Sequence, residues 1–501
     1  MTAPRQHWAR DRGPSINYRL IVPVISATVV ALSLGMLVCA GAALAYGDGG
    51  ATAFAVTAAV ALPFAIAGFA LAPRLADRPM RARDGFLAVT LAWVVAAALG
   101  AVPFLAHGTF ERPVDAFFES MSGFTTTGST MLGEIEAEPH SILLWRSLSQ
   151  WLGGIGIVVL VVAIAPATGL ASQRVFYAET SGVTADRLTP RIADTAKIIA
   201  GIYLTFTLLG VLAYLVAGMG GFDAVNHAFT SVATAGFSTR TASIGAYDSL
   251  AIEMVAVALM VLGGVNFALY WQLLRDRDAI RPQLPEVRTY LMFLVAGIAV
   301  VTVSLLLSEG ATDPARALRD GAFSVVSIMT TTGYVTADFD EWNTFAEFVL
   351  LALMFVGGCA GSTAGGMKVI RIMLLGRAAV QEVQGQLQPT AVQVLRVRGR
   401  VFGEDVRRGV LGFFYIYVTV FLVGTLLMAA VGLDPVTAAS SVIATLNIIG
   451  PALGEVGATE NVAAVPQGGL WVLSALMLIG RLEVFTVLVL FMPAFWRRNA
   501  A

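Results

Sequence analysis

The chain has 501 residues, of which 57% are hydrophobic and only 13% charged, with a formal net charge of -1. A soluble protein averages about 25% charged residues, so this composition excludes an ordinary soluble domain and points to an integral membrane protein. Cys39 and Cys359 sit far apart in apolar runs and the four histidines are scattered, so buried reduced thiols are expected, without a disulfide framework or metal-ligand cluster.

Arg5, Arg10, Arg12 and Arg19 precede an apolar run from Leu20 to Tyr46 that imitates a signal peptide, with Ala43 and Ala45 near its end. The run exceeds a signal core of roughly 7 to 15 residues and a second span, Ala51 to Ala72, follows after the turn Gly47 to Gly50, so an uncleaved helical hairpin is expected. A basic link, Pro73 to Asp84, leads to a pattern that occurs four times: long apolar helix, short apolar helix, glycine turn, long apolar helix. The first unit has an outer helix Phe86 to Ala106, a loop helix Val114 to Phe124 and an inner helix Ile142 to Ala165. The second has Ile198 to Met219, Phe222 to Ala233 and Leu250 to Leu274; the third has Tyr290 to Ser308, Ala315 to Met329 and a long inner segment Phe345 to Leu375. The fourth has Val410 to Val431, Pro435 to Leu446 and Leu470 to Phe495. Ten spans place both termini on one side. All 32 Lys and Arg residues except Arg112, Arg146, Arg240, Arg316, Arg319 and Arg481 then fall on that side, which the positive-inside rule makes cytoplasmic.

The four turns read TTTGST (Thr125 to Thr130), TAGFST (Thr234 to Thr239), TTTGYV (Thr330 to Val335) and NIIGPA (Asn447 to Ala452). A bilayer tolerates irregular backbone only where protein or water satisfies it, so four such breaks must line one shared path. Glycine allows φ > 0, which lets successive carbonyls point inward, and Thr hydroxyls add oxygen ligands. Oxygens without fixed charge can replace the water shell of a weakly hydrated cation, and the negative C-terminal ends of the loop helices face the same point. The candidate ligands are Thr126, Thr127 and Gly128; Thr234, Ala235 and Gly236; Thr331, Thr332 and Gly333; and Asn447, Ile448, Ile449 and Gly450.

With these turns, WRSLSQWLGGIGIVVL (Trp145 to Leu160), AETSGVTADRLTPRIADTAK (Ala178 to Lys197), GGCAGSTAGGMK (Gly357 to Lys368) and GRLE (Gly480 to Glu483), the whole chain resembles the Trk/Ktr/HKT superfamily of potassium transporters, and its TrkH-type members in particular. The N-terminal hairpin is similar to the TrkH-type arrangement. Ile448 and Ala452 depart from the family, which often has a polar residue and a glycine there. The resemblance implies an all-α membrane fold in pseudo-fourfold array about one pore, K⁺ as the transported ion, no cofactor in this chain, and a homodimer in the bacterial cytoplasmic membrane. It also implies a docking surface for a cytosolic TrkA-type nucleotide-binding regulatory subunit. No nucleic-acid partner is expected.

Five glycines interrupt the third inner segment, each costing a helix about 1 kcal/mol relative to alanine. Close helix packing would explain them, but the other three inner helices show no comparable break, which argues for a plug under the turns; the resemblance implies an intramembrane gating loop. The candidate gate residues are Gly357, Gly358, Gly361, Ser362, Thr363, Gly365, Gly366, Lys368 and Arg481. Lys368 and Arg371 read equally as gate elements or interfacial anchors. Arg481 lies about midway along the fourth inner helix, and Glu483 is too close in sequence to form an i,i+4 pair. A salt bridge to another repeat remains an alternative to the pore position that the resemblance implies. Glu119, Asp115, Asp223 and Asn226 read as caps or outer-mouth charges. The polar link Gly376 to Arg408 reads as a solvated basic loop over anionic lipid heads.

An ion-coupled transporter would want a midplane acidic relay and an intramembrane protease a facing catalytic pair; neither emerges, so an enzyme is not expected. A sodium-preferring or ion-coupled monovalent cation transporter is the remaining alternative. The expected segments are 1–84 (hairpin and basic link), 85–170 (first repeat), 171–280 (second repeat with its link), 281–375 (third repeat with the gating loop) and 376–501 (cytoplasmic link and fourth repeat).

Overall fold

A computed structural model of the chain describes residues 16, 18–71, 82–164, 192–275, 280–308, 313–387, 395–397 and 400–496. Most of the basic link from Pro73, the greater part of the Ala178–Lys197 link and Arg5, Arg10, Arg12, Arg497 and Arg498 of the terminal tails lie outside these residues. The patterning is that of a protein in an apolar medium: Leu44, Phe64, Val295 and Leu426 face outward, while Glu119, Arg146, Gln150 and Arg481 are buried. Among the described residues, six continuous helices are long and apolar enough to cross a membrane: Leu20–Tyr46, Ala51–Ala70, Ala82–His107, Thr195–Val216, Leu284–Leu307 and Glu404–Ala430.

The N-terminal hairpin packs mainly on the first repeat, with Tyr46 edge-on to Phe222 of the second and Ile21 clustered with Phe495 of the fourth. Gly35 lies against Trp145 and Leu148 of the first inner helix, and Asp48 in the hairpin turn accepts hydrogen bonds from the backbone N–H (2.8 Å) and hydroxyl (3.1 Å) of Ser141 at that helix's start. Each repeat then follows one plan. The outer helices are Ala82–His107, Ile192–Val216, Leu284–Leu307 and Glu404–Ala430. The short helices are Pro113–Phe124, Gly221–Val232, Pro314–Met329 and Pro435–Leu446. Pro opens three of these four, where its missing N–H costs no hydrogen bond and its fixed φ suits the first turn. Two large apolar clusters build the core, one joining the hairpin with the first and fourth repeats, the other centred on the second and third. Cys39 and Cys359 are free and buried, as expected.

The inner segments depart from expectation. The first is a continuous helix, His140–Ile164. The second bends by 85° between Leu250–Gly263 and Phe267–Arg275, and the fourth bends by 111° between Gln467–Arg481 and Phe485–Phe491. The glycine-rich break in the third, between Thr344–Met354 and Val369–Leu387, therefore has counterparts in two other repeats. In the second, the α-carbon of Gly264 packs against the Tyr290 hydroxyl, leaving no room for a side chain, and Asn266 Oδ1 accepts from Ala268 N at 2.9 Å to start a new helix. In the fourth, Glu483 and Val484 take φ of 56 and 60, and their N–H groups return to Gly480 O (3.1 Å) and Ile479 O (2.8 Å), closing the helix end.

The described part of the Gly376–Arg408 link is helical and paired rather than a solvated loop. The helix Val369–Leu387 runs into it, and Leu395–Val397 pairs antiparallel with Arg400–Phe402 before the outer helix starts at Glu404. This short ladder supplies the only named strands among the described residues of an otherwise helical fold.

Candidate ion site

The four short helices end in the same way. Each closes on a residue in the right-handed region (Thr125, Ala233, Thr330, Asn447), followed by one at positive φ: Thr126 (59), Thr234 (49), Thr331 (57) and Ile448 (63). Two hydrogen bonds seal each end. In the first, Thr126 N donates to Gly123 O at 3.0 Å and Thr127 N to Ser122 O at 2.9 Å; Thr234 and Ala235, Thr331 and Thr332, and Ile448 and Ile449 repeat the pair. This is the Schellman pattern, which usually puts glycine at the left-handed position. Here that position holds a β-branched residue four times, at about 1–2 kcal/mol each, a strain that surrounding structure must hold in place. The glycine comes two residues later, at φ of 90, 83, 80 and 102 for Gly128, Gly236, Gly333 and Gly450.

These glycines interlock in a cycle. A methyl group on Gly128 would strike the carbonyl oxygen of Ala235, one on Gly236 that of Thr332, one on Gly333 that of Ile449, and one on Gly450 that of Thr127 at 2.7 Å. Each repeat thus presents the oxygen before its own glycine to the glycine of the repeat before it, and the fourth returns to the first. The separations require a bare α-carbon, so glycine serves both the backbone angle and the closeness of the ring. All four glycines line one cavity of about 70 Å³, with Ser129, Ser238 and Glu460 further out. Two arginines at this mouth are paired: Arg146 Nε lies 2.8 Å from Glu119 Oε1, and Arg240 lies 3.0 Å from Asp223. A cation approaching the ring therefore meets no unpaired arginine among the described lining residues.

Glu119 is not a cap. It sits inside its helix, fully buried, where it accepts from Thr130 Oγ1 (3.0 Å), Met131 N (2.8 Å) and Arg146. A buried carboxylate with three donors holds the strand that leaves the first turn. Asn226 is not a cap either, since its Nδ2 donates to Phe222 O one turn back. The side-chain cap among the four short helices is Asp434, which accepts from Val436 N (2.9 Å) and Thr437 N (3.2 Å). Asp115 and Asp223 do lie in first turns, paired with Arg112 and Arg240. On the outer loop after the third turn, burial and then the nearby Asp338 charge push the Asp340 carboxyl up to about 6.

Beneath the turns lies the glycine-rich segment of the third repeat. Gly365 N donates to Thr331 Oγ1 at 2.6 Å, and Thr363 Oγ1 lies 3.1 Å from Thr234 Oγ1. The α-carbon of Gly365 abuts Asn447 O, so the segment touches three of the four turns. From the side, Cys359 N donates to Gly264 O (2.8 Å) at the bend of the second inner helix, and Ala360 N donates to Glu286 Oε1 (2.8 Å). From the fourth repeat, Arg481 Nη1 donates to Thr363 O (3.0 Å) and Nη2 to Gly153 O (2.9 Å), while its Nε has no partner. Arg481 thus grips carbonyls, not an acid. The acid beside it, Glu483, pairs instead with Arg371 at 2.7 Å, and Arg371 stacks over Phe413. Lys368 Nζ donates to Ala364 O within the segment, and both Lys368 and Arg371 are buried, which removes the interfacial-anchor reading.

The four turns that carry the thirteen candidate ligands thus meet in one ring, and the segment that carries eight of the nine candidate gate residues touches three of them, with Arg481, the ninth, bonded to it. Gln150, Tyr417 and Glu286 were missed. Gln150 Nε2 donates to Ala235 O at 2.6 Å, and Tyr417 hydroxyl donates to Asn447 Oδ1 at 2.6 Å. A glutamine within an apolar helix was the available signal for the first; nothing in sequence tied Tyr417 to the fourth turn or Glu286 to Ala360 of the glycine-rich segment.

The family model of TrkH, described as a cation transport protein, matches residues 52–498. The chain is 41% identical to the Trk system potassium uptake protein TrkH of Halomonas elongata and 39% identical to that of Escherichia coli K12, in each case over 96% of this chain and 100% of the relative. It superposes on the crystal structure of the potassium transporter TrkH from Vibrio parahaemolyticus with a TM-score of 0.87 at 39% identity, covering 96% of this chain and all of that one.

Proposed function

Because the chain belongs to the TrkH family of cation transport proteins and its relatives are named potassium uptake proteins, we propose that it carries K⁺ across the cytoplasmic membrane by a channel-like route through the ring of glycine turns. The observation that carries this reading is the closed cycle in which each glycine faces the preceding carbonyl of the next repeat over one cavity. Such oxygens replace the hydration shell of the ion, and their number and field strength set which ion gains most. The four helix ends behind them add partial negative charge without fixing an anion that would trap the ion.

The segment 357–368 is the gate in this reading. Its Thr363 hydroxyl and Gly365 N–H engage the hydroxyls of Thr234 and Thr331, groups that would otherwise be open to an ion leaving the ring. Arg481 latches it by joining Thr363 O to Gly153 O, and it places positive charge below the ring. Opening requires these bonds to break together. The helix Val369–Leu387 follows directly, so a partner moving its cytoplasmic end would pull on the gate. A TrkA-type nucleotide-binding ring is the partner we propose, with a homodimer of this chain as the assembly and both termini cytoplasmic. The five segments divided near residues 84, 170, 280 and 375 are the proposed units.

Rubidium and sodium influx into proteoliposomes, with and without an imposed membrane potential, tests the reading. Potential-driven rubidium entry well above sodium entry is expected; uptake that needs a proton or sodium gradient would refute the channel-like route.

A further inference from the structure

We propose that Gln150, on the first inner helix, is a positioning residue for ion selection that clamps the second turn and tunes one oxygen of the ring. This rests on the reading of the turns as the ion filter. Gln150 is fully buried, and both ends of its carboxamide are used: Nε2 donates to Ala235 O at 2.6 Å and Oε1 accepts from Phe237 N at 3.0 Å. The amide thus brackets Gly236. One turn earlier on the same helix, Arg146 Nη1 donates to Ser238 O at 3.0 Å, so one helix holds the segment 235–238 at three points.

The second turn needs this clamp because it lacks the internal one. In the first turn Thr125 and Thr127 share a hydroxyl hydrogen bond of 2.8 Å, and in the third Thr330 and Thr332 share one of 2.8 Å. The second has Ala233 and Ala235 at those places, and no hydroxyl. Gln150 supplies from a neighbouring repeat what the turn cannot supply itself. It also makes Ala235 O unlike the other ring oxygens: among the described residues no side chain donates to Thr127 O, Thr332 O or Ile449 O. An oxygen that already accepts a hydrogen bond offers a weaker field to an ion and cannot swing inward to follow a smaller one. Both effects penalise Na⁺ more than K⁺.

The test compares wild type with Gln150→Met, which keeps the volume and loses both bonds, and with Gln150→Glu, full chain in proteoliposomes, by the rubidium to sodium influx ratio. The Met variant should lower the ratio by about three- to tenfold, the worth of one or two hydrogen bonds. The Glu variant should show a lowered ratio when ionised and recover as falling pH restores a donor. A monodisperse, inserted Met variant with the wild-type ratio overturns the proposal. Should Met prevent insertion, a Glu variant with a pH-independent wild-type ratio overturns it. Absence of any rubidium preference in wild type would instead overturn the filter reading beneath.

Discussion

The glycine turns and the inner segments beneath them are products of the same four repeats, yet they obey opposite rules. At the turns, sequences as different as TTTGST and NIIGPA adopt one backbone: a left-handed β-branched residue, then a glycine two places on. Beneath them, four similar apolar segments adopt four different paths, one straight, two bent by 85° and 111°, and one broken by a loop. In the proposed reading, symmetry is kept where an ion would be surrounded evenly and abandoned where a single plug would fit. The glycines of the ring face backbone oxygens, so the shared backbone accommodates Ile448 and Ile449 where other turns carry Thr. The glycine-rich segment beneath is instead held by individual side chains, Thr363 and Arg481, that occur once.

The sharpest way to break the comparison is to put a Cβ into the ring. Gly333→Ala adds left-handed strain of about 1–2 kcal/mol and drives a methyl into Ile449 O, which cannot retreat without moving the fourth turn. Rubidium influx below about a tenth of wild type is expected from folded protein. Gly450→Ala meets Thr127 O at a less severe 2.7 Å and should retain more. Between them, Gly128→Ser should lower the rubidium to sodium ratio by distorting one side. Equal, undiminished flux in all three would mean that the ring does not touch the ion.

The opposite sign is expected below the ring. Shortening 361–366 removes the groups that engage Thr234 and Thr331 and should raise basal flux severalfold while leaving ion preference near that of wild type. Arg481→Ala removes the latch but leaves the plug, so its increase should be smaller than that of the shortened segment. A lower flux in Arg481→Ala, in well-folded protein, would show that the arginine supports the path instead of obstructing it.

How far the sequence could be read follows the same division. The hairpin, the four repeats and the turn residues were legible because apolar runs of spanning length and glycine beside Thr carry direct physical meaning. The bends were not: Gly264 and Glu483 break their helices through contacts with Tyr290 and through a helix-closing turn, and neither is visible in hydropathy. Glu119 was misread because an acid in a short pore-loop helix suggests a cap or a mouth charge, whereas its partners Thr130, Met131 and Arg146 become neighbours only on folding. The isolated character of the third break was an artefact of the same blindness.

The smallest expected effect lies at the outer mouth, where the loops of the third and fourth repeats meet. Asp340 is half-buried, and burial together with the Asp338 charge lifts its carboxyl from the ordinary value of 3.8 to about 6, although backbone N–H groups of Gly454 and Ala458 oppose the shift. The folded protein therefore holds this proton more tightly than the unfolded chain does. Stability must rise as pH falls through about 6 toward 4, and the contribution is absent above that window. Solvent screening of a half-exposed group keeps the gain small, so the thermal midpoint in detergent should climb by about 1–2 °C between pH 7.5 and pH 5. Asp340→Asn should flatten that climb, because the amide does not titrate, while the ring behind it and the rubidium to sodium ratio stay unchanged. If the Asn variant keeps the full pH dependence, the titrating group lies elsewhere, and the mouth is coupled to folding through a different pair of repeats.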